Sequence, residues 1–156
     1  MWQEWRLGSQ VVSTSTSGAI IRTAVTSESI RIEKLRSEAL RSDSGAVITF
    51  SGDVRNHDGG RDVLSLDYEA HPTAGEILAE VAQEVAVEFS LQALIIEHRY
   101  GSLAIGDTAL GVVAAAAHRA EAFNGAIAAV DRVKERLPIW KHQFFADGTD
   151  EWVNSA

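Results

Sequence analysis

Lysine is scarce in this chain, and two of its three copies, Lys134 and Lys141, stand seven residues apart. Both fall in the stretch AHRAEAFNGAIAAVDRVKERLPIWKHQ. From His118 to Lys141 five Lys/Arg (Arg119, Arg132, Lys134, Arg136, Lys141) face three acids (Glu121, Asp131, Glu135), a local +2 in a chain of formal charge -8. A basic cluster inside an acidic protein suits a small anion, whereas a nucleic-acid binder carries its basic excess over a whole face or domain. Lys134 follows Val130 by four residues and so continues the apolar side of a helix. Partial desolvation and neighbouring cations there lower an amine's pKa and make it usable as acid, base or nucleophile. The plainer alternative is a lysine snorkelling at the core edge. Lys141, beside Trp140, reads as a second amine for the same anion or as an ordinary strand lysine.

Three further residues suit an anion. Arg55 opens the loop Arg55-Asn56-His57-Asp58-Gly59-Gly60, where side chains commonly project into sites, and its planar fork matches phosphate. His118 and Arg119 stand at the start of the long helix, where free N–H groups and the dipole favour negative charge. Taken alone, Arg55 is equally consistent with plain surface, and a His-Arg pair at a helix start is more often just surface. Other chemistries find no support. Gly101 to Gly106 lacks the phosphate-loop and dinucleotide spacings, Glu97-His98 and His118 lack HExxH spacing, and Ser51-Gly52 is not a nucleophile elbow. No metal and no cofactor is expected. The cysteine count of zero excludes disulfides, thiolate metal sites and a persulfide carrier.

The elements that position these residues follow from periodicity. Phe123, Ile127, Val130 and Leu137, helped by Ala126 and Val133, recur at helical steps and predict a buried stripe; Pro138 ends the helix. Ile139 to Phe144 alternates as a short strand, with Lys141 and Gln143 on one side. Upstream, residues 1–18 form a variable segment, with Trp2 and Trp5 ahead of a Ser/Thr-rich run. A strand near Ala19–Val25, a short strand at Ser29–Glu33 and a short helix through Leu35, Ala39 and Leu40 come next. Ala46–Val54 is a β-branched strand, and Val63–His71 pairs with it as the next antiparallel strand. Pro72 opens a helix with Ile77, Val81, Val85 and Phe89 on one face. Leu91–Tyr100 and Thr108–Ala117 are strands, the second buried on both faces, with turns at Gly101 and Gly106-Asp107. The order favours α+β: a mixed, largely antiparallel sheet with two main helices packed on it, residues 19–156 being one domain. With 46% hydrophobic content such a domain buries a proper core. Thr108–Ala117 is the longest charge-free apolar stretch and is half of the roughly 20 residues a bilayer requires, so no membrane is expected. The polar start carries no signal-peptide pattern, and a cytoplasmic protein is expected.

RNH at 55–57, AHR at 117–119, K-x-R-x-P-x-W-K at 134–141 and a G-x-x-x-W ending from Gly148 to Trp152, in this order and spacing, resemble the large, catalytic subunit of molybdopterin synthase. The resemblance covers roughly residues 28 to 153. It implies a sulfurtransferase of molybdenum cofactor biosynthesis that converts cyclic pyranopterin monophosphate to molybdopterin. Lys134 would be the central catalytic residue, Lys141 would assist, and Arg55, His118 and Arg119 would bind substrate. It also implies a small ubiquitin-like partner delivering sulfur as a C-terminal thiocarboxylate, in keeping with a chain that has no cysteine of its own. One position departs from the pattern: the family usually has an acid two residues after the strand lysine, and this chain has Gln143. Two rival readings remain open, a non-catalytic anion-binding or scaffold module and a degenerate member that keeps only partner binding.

His118 and Lys134 pose a conflict. A continuous helix separates His118 from Lys134 by ~24 Å, yet both ends are assigned to one small substrate. Either the helix breaks, with Gly125 its only interior glycine, or a two-fold homodimer shares its sites between chains. The resemblance implies the second, a central dimer with a small subunit at each end.

Overall fold

A computed structural model describes residues 11–14 and 18–154, with side chains from Gly18 onward. Of the segment read as variable, residues 1–10 and 15–17, including Trp2 and Trp5, lie outside the described residues. Val11–Thr14 form strand β1, antiparallel to β2 (Ile20–Thr26). The strands divide between two sheets. The first runs β1-β2-β6-β8-β3, with β3 at Ala46–Asp53, β6 at Ala93–Arg99 and β8 at Thr108–Ala116. Among the described residues, only β2 and β6 pair in parallel. The second runs β10-β9-β5-β4, and β7 also pairs with β5. Its strands are β4 (His57–Asp58), β5 (Arg61–Ala70), β7 (Gly101–Ala104), β9 (Ile139–Phe145) and β10 (Asp150–Val153).

Among the described residues, three helices cover the first sheet: α1 (Ile32–Ala39), α2 (Ala74–Glu88) and α3 (Arg119–Arg136). The α+β class and the predominance of antiparallel pairing match the sequence reading. β8 is buried on both faces, as its unbroken apolar run required. Val112, Ala114 and Ala116 join the core beneath α2 and α3, while Val113 and Ala115 pack with Leu35 and Ala39 of α1.

Several local expectations are corrected. β5 does not form a hairpin with β3; it pairs with β9 and β7, while β3 pairs with β8. At the end of β3, Val54 donates its N–H to Asp107 O and accepts that of Gly106, each at 2.9 Å. These bonds tie the chain to the turn before β8, and the Arg55–Gly60 loop then carries it across to the second sheet. Ser29–Glu33 is not a strand: Ile32 already opens α1, and Ile30 packs beneath that helix. Gly101 is more than a turn, since it begins β7. On α2, Leu78, Val81, Ala82 and Val85 are buried, and Ile77 and Phe89 only partly so.

The stripe predicted for α3 is also displaced. The buried face is Ala122, Gly125, Ala126, Ala129 and Val133, while Phe123 (52%) and Ile127 (58%) stand exposed. The reason is close approach. A Cβ at Gly125 would sit 2.7 Å from Leu91 Cδ2, so small residues let the helix backbone settle onto the core. The helix is unbroken from Arg119 to Arg136, and Gly125 is a packing glycine, not a hinge. The larger apolar residues mark a second face.

Close backbone contact also governs Gly45, where an added Cβ would meet Ala117 O at 2.3 Å. Backbone cannot yield as a side-chain tip can. Gly45→Ala should therefore lower unfolding free energy by about 1–3 kcal/mol, which urea denaturation followed by circular dichroism would measure.

Candidate active site

At the C-terminal end of α3, the Leu137 N–H closes the last turn on Val133 O at 2.9 Å, and Pro138 forces the chain into β9. Alternation along β9 then fixes which side chains face inward. Ile139, Gln143 and Phe145 are buried and Lys141 between them is partly buried, while Trp140, His142 and Phe144 lie on the other face. Lys141 and Gln143 thus share a side, as the alternation indicated. Burial holds the Lys141 amine below the ordinary lysine value of 10.5. Arg55 and Lys134 push it the same way, and Asp58 and Glu151 oppose them.

Lys134 lies in the last turn of α3 and is solvent-exposed, not sunk in the core edge. It is near enough for its charge to depress both Lys141 and His98. Arg55, on the loop between β3 and β4, is largely exposed, with Nη2 3.7 Å from Asp58 Oδ1. The other oxygen of Asp58 accepts a 2.7 Å hydrogen bond from Gln143 Nε2. That bond, with the nearby charges of Lys141, Arg55 and Arg61, holds Asp58 below the usual carboxylate range. Lys134 and Arg55 therefore both lie within electrostatic range of Lys141.

His118 and Arg119 are not. They are exposed at the opposite end of the unbroken helix, with His118 as its N-cap. Arg132 and Arg136 leave the anion-binding set as well, because they pair with α2: Arg132 with Glu88, Arg136 with Glu84 at 2.6 Å and with Glu80 at 3.5 Å. Trp152, the last residue of the G-x-x-x-W pattern, stacks on His142 with centroids 4.1 Å apart, and His142 Nε2 lies 2.6 Å from Asp150 Oδ2. Those contacts hold β10 on β9.

Two residues here were not singled out from sequence. Asp58 reads only as a loop residue, and no signal marks its bond to Gln143, 85 positions away. His98 lies 1% exposed at the end of β6, edge-on to Tyr68 with centroids 5.1 Å apart. Its Nδ1 lies 2.9 Å from Arg99 O, which can only accept, so Nδ1 carries the proton. Its Nε2 is buried with no hydrogen-bond partner among the described residues. The apolar run Ala93–Ile96 that leads into it, buried on both faces, could have placed it.

A family model described as MoaE protein matches residues 25–136. The chain belongs to the MoaE family. The matched span includes Arg55, His118, Arg119 and Lys134 and ends before Lys141. Among relatives, the molybdopterin synthase catalytic subunit of Nostoc is 34% identical over 133 residues, covering 84% of this chain and 81% of that protein. The subunit of the same name from Halalkalibacterium halodurans is 35% identical, covering 85% of each chain. Of solved structures, the molybdopterin synthase of Staphylococcus aureus superposes with a TM-score of 0.76 at 32% identity, covering 84% of this chain and 94% of that one. In this MoaE chain the helix end, β9 and the Arg55 loop are thus the parts that place the two lysines together.

His98 supplies a stability test. Burial lowers its pKa from 6.5 to about 4, with the charge of Lys134 acting in the same direction and the Arg99 carbonyl opposing. Between those values the unfolded chain binds a proton that the folded chain refuses, so stability falls as pH drops through the window. Urea titrations at pH 7 and pH 4.5 should show the wild type losing about 2 kcal/mol more than His98→Gln. Parallel losses in the two proteins would remove His98 as the source.

Proposed function

We propose that this chain is the catalytic subunit of a molybdopterin synthase, converting cyclic pyranopterin monophosphate to the dithiolene molybdopterin. The observation that carries the reading is the convergence of Lys134, Lys141 and Arg55, in a family whose relatives bear that name. Sulfur reaches this chain on another molecule, because it has no cysteine to hold it. A small ubiquitin-like subunit with a C-terminal thiocarboxylate suits that need, and two such deliveries complete the product. The site must bind phosphate and pterin, orient the thiocarboxylate tail and move protons as each sulfur adds. Arg55 takes the phosphate by its planar fork. Lys134 acts as acid, base or electrostatic catalyst, and Lys141, held partly desolvated, assists. The reaction is placed in the cytoplasm, within residues 19–156 acting as one domain.

The assembly follows from α3. His118 and Lys134 lie ~24 Å apart along an unbroken helix, too far for one substrate to touch both. A two-fold axis crossing α3 near Ala126 would exchange the two positions between chains. The exposed Phe123 and Ile127, with Val130, lie around that midpoint and border an apolar groove with Ile48 and Phe50 of β3. A second copy of this chain is the occupant these features suit, so His118 and Arg119 of one protomer would complete the site of the other.

Purified protein given the cyclic precursor and thiocarboxylated small subunit should form molybdopterin; its failure to do so would leave the binding-module or degenerate reading. Lys134→Ala should cut turnover by roughly 10²–10⁴-fold with folding intact, because the side chain is exposed. Lys134→Arg should fail as well if the residue moves a proton, since guanidinium stays charged. Near-normal turnover in that variant would reduce Lys134 to a charge. In calorimetry, Arg55→Ala should weaken precursor binding, and added salt should reproduce part of the loss.

A further inference from the structure

Gln143 is 3% exposed, and a buried amide N–H must find an acceptor. It finds Asp58 Oδ2 at 2.7 Å, while Oδ1 faces Arg55 Nη2 at 3.7 Å. Lys141 lies two residues before Gln143 on the same side of β9, about 7 Å along the strand. The bond that fixes the Asp58 carboxylate therefore holds it on the side of β9 that Lys141 occupies, close enough for each charge to act on the other. Gln143 stands where the resemblance leads one to expect an acid, and the carboxylate has not left the site: it comes from β4 instead.

We propose that Asp58 is the positioning carboxylate of this site, clamped by Gln143 so that its negative charge stands on the Lys141 side of β9 and offsets the cations Arg55 and Lys134 around that amine. The charged groups facing Lys141 are Arg55 before β4, Lys134 on α3, Asp58 on β4 and Glu151 on β10, with the buried Tyr68 opposite it on β5. Two of the charges are cations that disfavour a third. Asp58 and Glu151 offset them, and Asp58 is the one held by a buried donor. An acid at 143 would set two carboxylates in contact, each raising the other's cost of ionisation. The amide avoids that and leaves the site one clamped charge. The direction of the pKa shifts agrees: Asp58 opposes the desolvation of Lys141, and Lys141 helps keep Asp58 ionised.

The inference rests on the sulfur-transfer reading for its activity arm and stands apart from it in a second arm. With small subunit and precursor, Asp58→Asn should lower kcat/KM about tenfold, the scale of one lost charge-assisted contact. Its alkaline limb should move to lower pH. Gln143→Glu, which adds charge beside Lys141, should move that limb to higher pH. The double variant Asp58→Asn/Gln143→Glu exchanges donor and acceptor and should restore both rate and limb. Because the chain has three lysines, NMR of the side-chain amines can follow Lys141 directly, and its titration should shift downward in Asp58→Asn and return in the double variant. Loss of stability with an unmoved limb, or no rescue by the double variant, would make Asp58 merely structural. If the wild type forms no molybdopterin, the sulfur-transfer reading fails by itself. An unchanged Lys141 titration in Asp58→Asn would then overturn the pairing independently.

Discussion

Most of what this fold does for its site depends on how closely α3 can lie on the first sheet. Alanine and glycine along Ala122, Gly125, Ala126 and Ala129 let the helix settle against Leu91 and β8 without interruption. Three consequences follow. The helix ends where Pro138 turns the chain into β9, which puts Lys134 and Lys141 within electrostatic range of each other. Its larger apolar residues are left facing outward. Its length holds His118 and Arg119 a full helix away from the lysines.

Electrostatics then decides what the lysine end can do. The stretch from His118 to Lys141 is basic by count, but Arg132 and Arg136 are bound to acids of α2 and act as struts between helices. What remains is a small set: Lys134 exposed, Lys141 partly desolvated, Arg55 reaching from a loop and Asp58 near Lys141 and Arg55. Exposed ion pairs contribute little to stability, so the value of this arrangement lies in placing charge, and partial burial gives Lys141 its altered proton affinity. His98 and Tyr68 close the inner side with neutral rings.

The sequence made the class, most element positions and the convergence of the two lysines readable. Helix period, the stop at Pro138 and strand alternation are local signals, and Lys134 and Lys141 lie within one helix–turn–strand unit. What it concealed was non-local. Alternation in β5 announces a strand without naming its partner, and the partner is β9, not β3. The stripe of Phe123 and Ile127 is as periodic as a core stripe, and only the tight seating at Gly125 shows that the opposite side is buried. Asp58 shows no sign of its role, because the residue that fixes it lies far along the chain. Motif resemblance supplied Arg55, His118 and Arg119, which periodicity alone leaves as surface.

The account stands or falls on whether helix geometry distributes one site over two chains. The most direct measurement mixes two dead proteins, a His118→Ala/Arg119→Ala chain and a Lys134→Ala chain, after dissociation and reassociation, and assays product with thiocarboxylated small subunit and precursor. Random pairing gives one working site in each mixed dimer, so activity should recover to about a quarter of the wild-type level, with each variant inactive alone. Mixed dimers that form and stay inactive, or a wild-type protein that is active as a monomer, would contradict it.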